Sequence, residues 1–281
     1  MALPYPLNPL GISVRENLPL TFSAVEASTV KLTATGSPTV SGLHYRLGTS
    51  GPWIAYTIGT EIPLSAGKKV QFWNTNSSLS LSSANYATFA MTGKIIASGN
   101  VWSLLNWTTA LSTSCFRNLF NGCESLTEPP ELPPLPYTTQ CFFGMFRQSG
   151  IKHPPALFST QLATSCLEAA FFNCLSLTEI PRIPDRLALR SCAQTFRGCT
   201  AITEAVLDFT TLADSAVLQM FQDCSNLSRI EVSFTQWGAI ATIFSNWVLR
   251  VSATGTFIKP AALPEEFGTN RIPTGWTVIN K

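Results

Sequence analysis

The chain has 281 residues, long enough for two domains or for one domain joined to an array of repeats. Hydrophobic residues make up 45% of it, which supports a substantial core, whereas charged residues make up only 12%, about half of their usual share in soluble proteins. The formal net charge is +2, and no basic run exceeds the pair Lys68 and Lys69, which argues against nucleic acid as a partner. No apolar stretch approaches the roughly 18 residues of a membrane span, so we expect no membrane insertion.

Residues 1–17 are rich in proline and show no periodicity, which predicts an extended arm. The first ten residues lack the charged start and the continuous apolar segment of a secretory signal. If Met1 is the native start, we expect no export by the general secretory route; the alternative is a chain from which a signal has been removed. An extended segment can bind another protein through main-chain hydrogen bonds, so the arm is a candidate attachment peptide, with a disordered terminus as the alternative.

Residues 18–99 contain short apolar segments separated by residues typical of turns, at intervals of about 10 residues. This pattern predicts an antiparallel β-sandwich-like domain. Trp53, Tyr56, Phe72 and Trp73 are predicted to lie in its core or at the rim, with a ligand platform as the alternative. The predicted strands cover residues 18–24, 29–35, 43–47, 53–58, 69–73 and 86–91.

A tandem repeat follows, in which Phe120, Phe146, Phe171, Phe196 and Phe221 recur at a nearly constant period of about 25 residues. Three residues after each phenylalanine stands a cysteine, replaced by serine in the second copy. A leucine or isoleucine stands three residues after the cysteine, or two after that serine. The residues before each phenylalanine suggest a short helical turn, and those after the cysteine suggest a short strand. Such a unit predicts a leucine-rich-repeat solenoid of about five repeats of ~25 residues over residues 100–234.

The period fails after residue 234, which predicts a C-terminal cap over residues 235–281. Trp237, Phe244, Trp247 and Val248 suggest an amphipathic helix in this cap. Two strands are predicted to follow it, over residues 255–258 and 272–279.

Most of the eight cysteines occupy repeat positions, so we expect them to stack in columns as buried, reduced thiols. Disulfides between neighbouring repeats are the alternative. Zinc is disfavoured because the chain has no C-x-x-C motif and only two histidines, His44 and His153. One column is Cys123, Cys174, Cys199 and Cys224; another is Cys115, Cys141 and Cys166, with Cys192 one place out of register.

The two residues after each inward leucine or isoleucine form the candidate binding surface. Side chains repeated about 5 Å apart along a sheet make a polar strip that can bind carbohydrate hydroxyls or a protein surface. The alternative is an ordinary solvated face, since every exposed strand carries polar residues. We call this set the polar column; its members are Thr127, Glu128, Lys152, His153, Thr178, Glu179, Thr203, Glu204, Ser228 and Arg229.

The repeat unit resembles a known family. Residues 119–127, followed by Pro-Glu-Leu-Pro, are similar to the BspA-type (treponemal) leucine-rich repeat, which is common in surface proteins of gut and oral bacteria and of their phages. The segment 263–278 resembles the closing part of such proteins, and segments 20–22 and 91–95 resemble the β-module that often precedes them. The pattern departs from the family at Ser191 and Ala216, and the later copies have lost the prolines.

The resemblance implies a non-enzymatic structural and binding protein of a bacteriophage particle, a head or tail fibre or adhesin-like decoration. Its partners would be other virion proteins, through the arm, and a host surface glycan or protein; fibres of this kind are usually homo-oligomers. The alternative is a bacterial cell-surface adhesin. A glycan-active enzyme using paired carboxylates, Glu128 with Glu131 or Glu265 with Glu266, is a third candidate. The sequence shows no catalytic, cofactor-binding or metal motif.

Overall fold

The computed structural model describes residues 18–238 and 242–281, so the predicted arm over residues 1–17 lies outside the described residues. Within those two ranges the fold is rich in β-strand, and its one regular helix is a 3-10 turn, Val101–Leu105. Antiparallel sheets form the first part of the chain, and a β-solenoid of about five turns forms the rest. The coarse prediction of a β-rich chain with a C-terminal solenoid is therefore confirmed.

Two sheets build the first part. The larger one has the order β4-β3-β6-β1-β8, and the smaller one has the order β5-β2-β7, with antiparallel pairs in both. The strands are β1 (Leu20–Ala24), β2 (Ser28–Thr35), β3 (Leu43–Leu47), β4 (Ile54–Ala55), β5 (Ile62–Leu64), β6 (Lys69–Asn74), β7 (Tyr86–Thr92) and β8 (Ile95–Ser98).

Aromatic rings join these two sheets into one core. Side chains alternate between the two faces of a strand, and this places Phe22 of β1 and Phe72 of β6 on the inner face of the larger sheet. Phe89 of β7 meets both rings from the smaller sheet, at centroid distances of 4.9 and 5.2 Å in edge-on geometry. The antiparallel sheets predicted here are confirmed, and they face each other through these rings.

The strand predictions need three corrections. The predicted strand 53–58 shortens to β4, because Tyr56 turns inward and its hydroxyl binds the backbone of Leu32 and Thr60. The sequence did not predict β5, whose three residues centre on Pro63, a residue that is rare inside strands. It also did not predict β8, a short strand that lies between Gly93 and Gly99.

Each turn of the solenoid, here called a rung, contains a segment that we call the turn ribbon, residues 114–123 in the first rung. Along it, Phe116, Asn118 and Phe120 donate their backbone N–H groups to carbonyls of the next rung, while the alternate residues donate to the carbonyl three residues earlier in the same rung. Every fourth residue has a positive φ, so the segment is a series of turns and the predicted helical turn is wrong. These positions are Ser114, Asn118 and Gly122; Gln140, Gly144 and Gln148; Ser165, Ala169 and Asn173; Arg190, Gln194 and Gly198; and Ser215, Gln219 and Asp223.

Parallel strands form the other sides of the rungs. The solenoid sheets are β10-β11-β13 and β12-β14-β15-β16, all paired in parallel. Their strands, with β9 before them, are β9 (Leu126–Glu128), β10 (Gln161–Leu162), β11 (Arg186–Leu187), β12 (Glu204–Leu207), β13 (Thr211–Leu212), β14 (Arg229–Val232), β15 (Thr256–Lys259) and β16 (Thr277–Asn280).

The repeated phenylalanines stack on one another through the core as a Phe ladder. Consecutive rings from Phe120 to Phe221 lie 5.3–5.7 Å apart with interplanar angles of 4–18°. The cysteine that follows a ladder phenylalanine donates its thiol to the backbone carbonyl of the ladder phenylalanine one rung earlier, as Cys199 does to Phe171 at 2.9 Å. Ring stacking and thiol bonds therefore repeat with the same period as the chain.

The first part of the chain continues directly into the solenoid. Phe89 stacks on Phe120 at 5.6 Å, its backbone N–H binds the carbonyl of Leu119, and its own carbonyl accepts the thiol of Cys123. These are the kinds of contact that link one rung to the next. In addition β8 pairs in parallel with β9, so that β9 becomes the sixth strand of the larger sheet.

At the other end, the predicted cap continues the solenoid before closing it. The predicted amphipathic helix is wrong, because residues 242–250 form another turn ribbon whose Asn246 and Arg250 have positive φ. Phe221, at the end of the ladder, is covered by the indole of Trp247 at 6.3 Å. The two predicted C-terminal strands appear as β15 and β16, the second shorter than predicted, and both extend the parallel sheet.

The ladder predicts a large difference between two neighbouring side chains. Phe171 is 1% exposed between two stacked rings, whereas Leu175 is 62% exposed. Phe171→Ala should lower the free energy of unfolding by about 3–5 kcal/mol, because it removes a buried ring and leaves a cavity. Leu175→Ala, the control in the same rung, should change it by less than about 0.5 kcal/mol. Chemical denaturation of both variants measures these free energies of unfolding. Equal losses of stability would contradict the role of the Phe ladder as the main packing element of the solenoid core.

Candidate functional site

The polar column lies on the strand side of the solenoid, and the structure brings its members together rung by rung. Backbone bonds run from Lys152 to Thr127 and from Thr178 to Lys152, and Glu204 stands opposite Arg229 in the pairing of β12 with β14. Most members are exposed; Thr127, Glu128 and Arg229 are partly buried. These contacts join the members of the first three rungs to one another and those of the last two rungs to one another.

The hydroxyl groups of this strip are used differently from the prediction. Thr127 donates its hydroxyl to the carbonyl of Ile95 on β8, and Thr178 donates its hydroxyl to the carbonyl of Lys152 one rung earlier. A hydroxyl that is already bound to the backbone has less capacity for a ligand. At these two positions the hydroxyl oxygen can still accept a hydrogen bond from a ligand, but its proton is already donated to the backbone.

Four of the column's titratable side chains, His153, Glu179, Glu204 and Arg229, form two groups of contacts. His153 Nδ1 lies 3.0 Å from Glu179 Oε1, and both side chains are more than half exposed. Further along, Arg229 contacts Glu204 at 3.7 Å and Glu231 at 2.8 Å, and Lys281 contacts Glu231 at 2.9 Å. The hydrogen bonds from Lys281 and Arg229 lower the pKa of Glu231 below its usual value. The second group links the last strands to one another. The first group, His153 and Glu179, is therefore the candidate contact for a ligand.

A groove of about 520 Å³ opens beside the first group. Its walls come from residues 154–160 of one rung and 179–185 of the next, and Glu179 belongs to both the groove and the polar column. Prolines and aliphatic side chains form the walls, and Arg182, Asp185 and Asp208 stand at the rim. The repeat pattern alone did not reveal this groove.

The prolines explain why the groove exists. Proline has no backbone N–H and cannot donate to a neighbouring strand. Pro154 and Pro155 in one rung, and Pro181 and Pro184 in the next, interrupt the strand that later rungs form, and both segments are irregular. The equivalent residues of those later rungs, which lack these prolines, pair as β12 and β14. Adjacent proline-rich copies were therefore the signal in the sequence for a gap between rungs.

The rim carries fixed polar groups. Asp185 Oδ1 accepts both the hydroxyl and the backbone N–H of Thr210, and these bonds lower the pKa of the Asp185 carboxyl. Arg182 lies 3.7 Å from Asp208, with its side chain 78% exposed. Apolar walls with a few placed polar groups are typical of ligand-binding grooves. The arrangement can hold a ligand.

The strand side also has a second column, which the spacing of the repeats did not predict. Val206, Glu231, Ile258 and Ile279 face each other in the register of β12, β14, β15 and β16, two residues beyond the polar column. Strand alternation places them on the same outward face. Their period was hidden because the last two strands depart from the spacing of the repeats.

The cysteines are buried free thiols and belong to the core. Burial raises the pKa of Cys123, Cys192 and Cys224 to about 12 and that of Cys174 to about 11. Burial also raises the pKa of Cys115, Cys166 and Cys199 well above the usual value. A protonated, buried thiol is a poor nucleophile and a poor metal ligand. Among the residues that the structure describes, no three His, Cys, Asp or Glu side chains are grouped to hold a metal ion.

Comparison with protein-family models, with curated proteins and with solved structures finds no match to this chain. The relation to the leucine-rich-repeat family is therefore a resemblance carried by the repeat unit. Over residues 18–238 and 242–281, no helix has the length and apolar character needed to cross a membrane.

The raised thiol pKa values predict a loss of stability at high pH. In the unfolded chain these thiols ionise from about pH 9, whereas in the folded chain the Cys224 thiol stays protonated to about pH 12. The unfolded state thus binds fewer protons above pH 9, and the free energy of unfolding should fall by up to about 1.4 kcal/mol per pH unit for each thiol. Below pH 9 this contribution is fully present.

Two variants distinguish the contribution of the Cys224 thiol to this pH dependence from the contributions of other titrating groups. Cys224→Ala should make the decline between pH 9 and pH 11 shallower, and Val232→Ala, which shortens a buried side chain of β14 that does not titrate, should leave its slope unchanged. Denaturation curves across this pH range provide the measurement. Identical slopes for Cys224→Ala and the unmodified chain would contradict the assignment.

Proposed function

We propose that this chain is a non-enzymatic binding protein of a bacteriophage particle, a fibre or adhesin-like decoration that displays a leucine-rich-repeat solenoid of the BspA type. The groove beside Glu179, together with the His153–Glu179 end of the polar column, contacts a ligand on the host surface. The ligand class is a surface glycan.

The groove is the observation that carries this proposal. It combines aliphatic and proline walls with Glu179, Arg182 and Asp185 at the rim, so that apolar faces and hydroxyls of a sugar find both kinds of partner. The groove is built on rungs held in register by the Phe ladder on both sides. A site on a rigid scaffold costs little conformational entropy when the ligand binds.

Composition supports an extracellular setting. With charged residues at only 12%, the surface is covered mainly by uncharged polar groups, and the repeat unit resembles repeats of surface proteins and phages. The solenoid architecture is well suited to display because every rung exposes its strand side along one direction.

The test uses the full chain, because β8 pairs with the first rung and a truncated solenoid would lose that partner. Binding is measured on an array of bacterial surface polysaccharides. The double variant Glu179→Ala with Arg182→Ala should weaken retention on the bound glycan by about tenfold or more, as expected when two rim contacts are lost. Glu204→Ala is the matched control, since Glu204 belongs to the same column and is similarly exposed but lies outside the groove.

Two outcomes would reject parts of this proposal. Equal binding by the double variant and the unmodified chain would remove the groove as the contact site. Antibody labelling of purified phage particles tests the setting: label on particles supports a virion protein, and label confined to the bacterial envelope would replace it with a cell-surface adhesin.

A further inference from the structure

The outer face of the larger antiparallel sheet carries an aromatic cluster that the solenoid groove does not involve. Side chains on β3 and β6 that point away from the Phe72 core include His44, Arg46, Gln71 and Trp73. Trp53, which immediately precedes β4, joins them. His44, Arg46, Trp53 and Trp73 are all partly exposed, and we call these four residues the outer aromatic cluster.

The rings of the cluster contact one another at fixed angles. The indoles of Trp53 and Trp73 lie 5.8 Å apart and are tilted by 55°, and the His44 ring lies 5.5 Å from Trp73. Arg46 covers the Trp53 ring at 4.6 Å, a cation–π contact. Trp53, Tyr56, Phe72 and Trp73 were predicted to lie in the core or at the rim; Tyr56 lies in the core with Phe72, and the two tryptophans lie on the outer face.

Hydrogen bonds behind the cluster hold Arg46 in place. Its Nε donates to Gln71 Oε1 at 2.7 Å, Gln71 Nε2 donates to Thr21 Oγ1 at 2.9 Å, and Thr21 donates to the carbonyl of Pro19. Gln71 and Thr21 are buried, so this chain of bonds fixes the guanidinium from behind. Arg46 has no carboxylate partner among the described residues, and its two Nη groups are not used in these bonds.

The donors and acceptors of the cluster are unequal in number. His44 Nδ1 lies 2.8 Å from the carbonyl of Gly42, so it carries the hydrogen and its Nε2 is the acceptor. Neither indole N–H of Trp53 or Trp73 has a hydrogen-bond acceptor within the described part of the chain. The cluster thus offers the Arg46 Nη groups and two indole N–H groups as donors, against a single ring acceptor.

The charged residues of the larger sheet also favour an anionic ligand. Strands β1, β3, β4, β6 and β8 contain Arg46 and Lys69 but no Asp or Glu; the one carboxylate of this sheet is Glu128, on β9 at the far edge. Lys69 and Arg46 are both on the outer side of neighbouring strands. An anionic ligand is therefore matched to this face, and a planar carboxylate suits the paired Nη donors of arginine.

We propose that the outer aromatic cluster is a binding site for an acidic carbohydrate, a pyranose that carries a carboxylate. The apolar face of the sugar ring packs on the indoles of Trp53 and Trp73, and its carboxylate binds the Nη groups of Arg46. The cluster consists of four partly exposed residues, which is small for a protein partner, since a stable protein interface buries roughly 800 Å² on each side. This site is separate from the groove and does not depend on the proposed role of the groove.

The experiment is affinity electrophoresis of the full chain in gels that contain one polymer each. Polygalacturonate and polysialic acid are the carboxylated carbohydrates, dextran is the neutral one, and polyglutamate is a carboxylated polymer without sugar. We expect retardation by at least one of the two acidic carbohydrates and little by dextran or polyglutamate. Arg46→Gln and Trp73→Ala should each weaken this retardation by about tenfold, because each removes one of the two parts of the contact.

Controls keep the test decisive. Lys31→Gln removes a partly exposed positive charge from the smaller sheet and should leave the retardation within about twofold, because Lys31 lies outside both the cluster and the groove. Thermal unfolding shows whether each variant is folded, and Arg46→Gln, which retains both tryptophans, decides the matter if Trp73→Ala is unstable.

Three results would overturn the proposal. No retardation by either acidic carbohydrate would do so and is the result expected of a protein-binding face. Retardation by polyglutamate equal to that by the acidic carbohydrates would show attraction by charge alone. Unchanged retardation of folded Arg46→Gln would separate the binding from this cluster.

Discussion

The register between consecutive rungs is the constraint on which the rest of this structure depends. In the turn ribbon, half of the backbone N–H groups bind within the rung and half bind the next rung, so no rung satisfies its own backbone. A buried backbone group without a partner costs as much as a lost hydrogen bond. The chain therefore repeats with the same length in each rung, and the Phe ladder fills the space that this repetition encloses.

The positive φ angles in the ribbon follow from this constraint. Asn and Gly adopt such angles easily, and they occupy positions such as Asn118, Gly122 and Asn173. Arg190 and Ala169 adopt them as well, at a cost of about 1 kcal/mol or more each. Cross-rung hydrogen bonds on both sides offset that cost, because changing one φ would break the bonds of two rungs. The backbone pattern is thus imposed by the neighbours, which is why local sequence predicted a helical turn instead.

The period, the stacked Phe and Cys columns and the inward leucines were all predictable, because each is a side-chain preference that repeats. The role of Phe89 was not, because it precedes the repeats and lies in a strand of a different sheet. The same limit applies to β15 and β16, which depart from the spacing of the repeats yet continue the sheet. The polar column was predictable as a strip, but the groove depends on the missing strand pairing between two adjacent rungs. Proline pairs such as Pro154 and Pro155 indicate in the sequence that a segment cannot pair as a strand. They predict a groove only when it is known that the two proline-rich segments lie side by side.

The scarcity of charge makes the remaining charged groups informative. Many of them link neighbouring rungs: Arg190 with Glu168, Arg250 with Asp223, and Arg229 with Glu204. Such pairs contribute to the same register as the backbone and need no ligand to explain them. Arg46 differs, because it is positioned by a buried chain of hydrogen bonds and yet has no carboxylate partner in the described chain. The Asp185 carboxylate is also oriented, by the hydrogen bonds that it accepts from Thr210 at the rim of the groove. Charged side chains that pair between rungs belong to the scaffold. In a chain with few charges, a charged side chain that is held in place without a partner of opposite charge therefore marks a recognition surface.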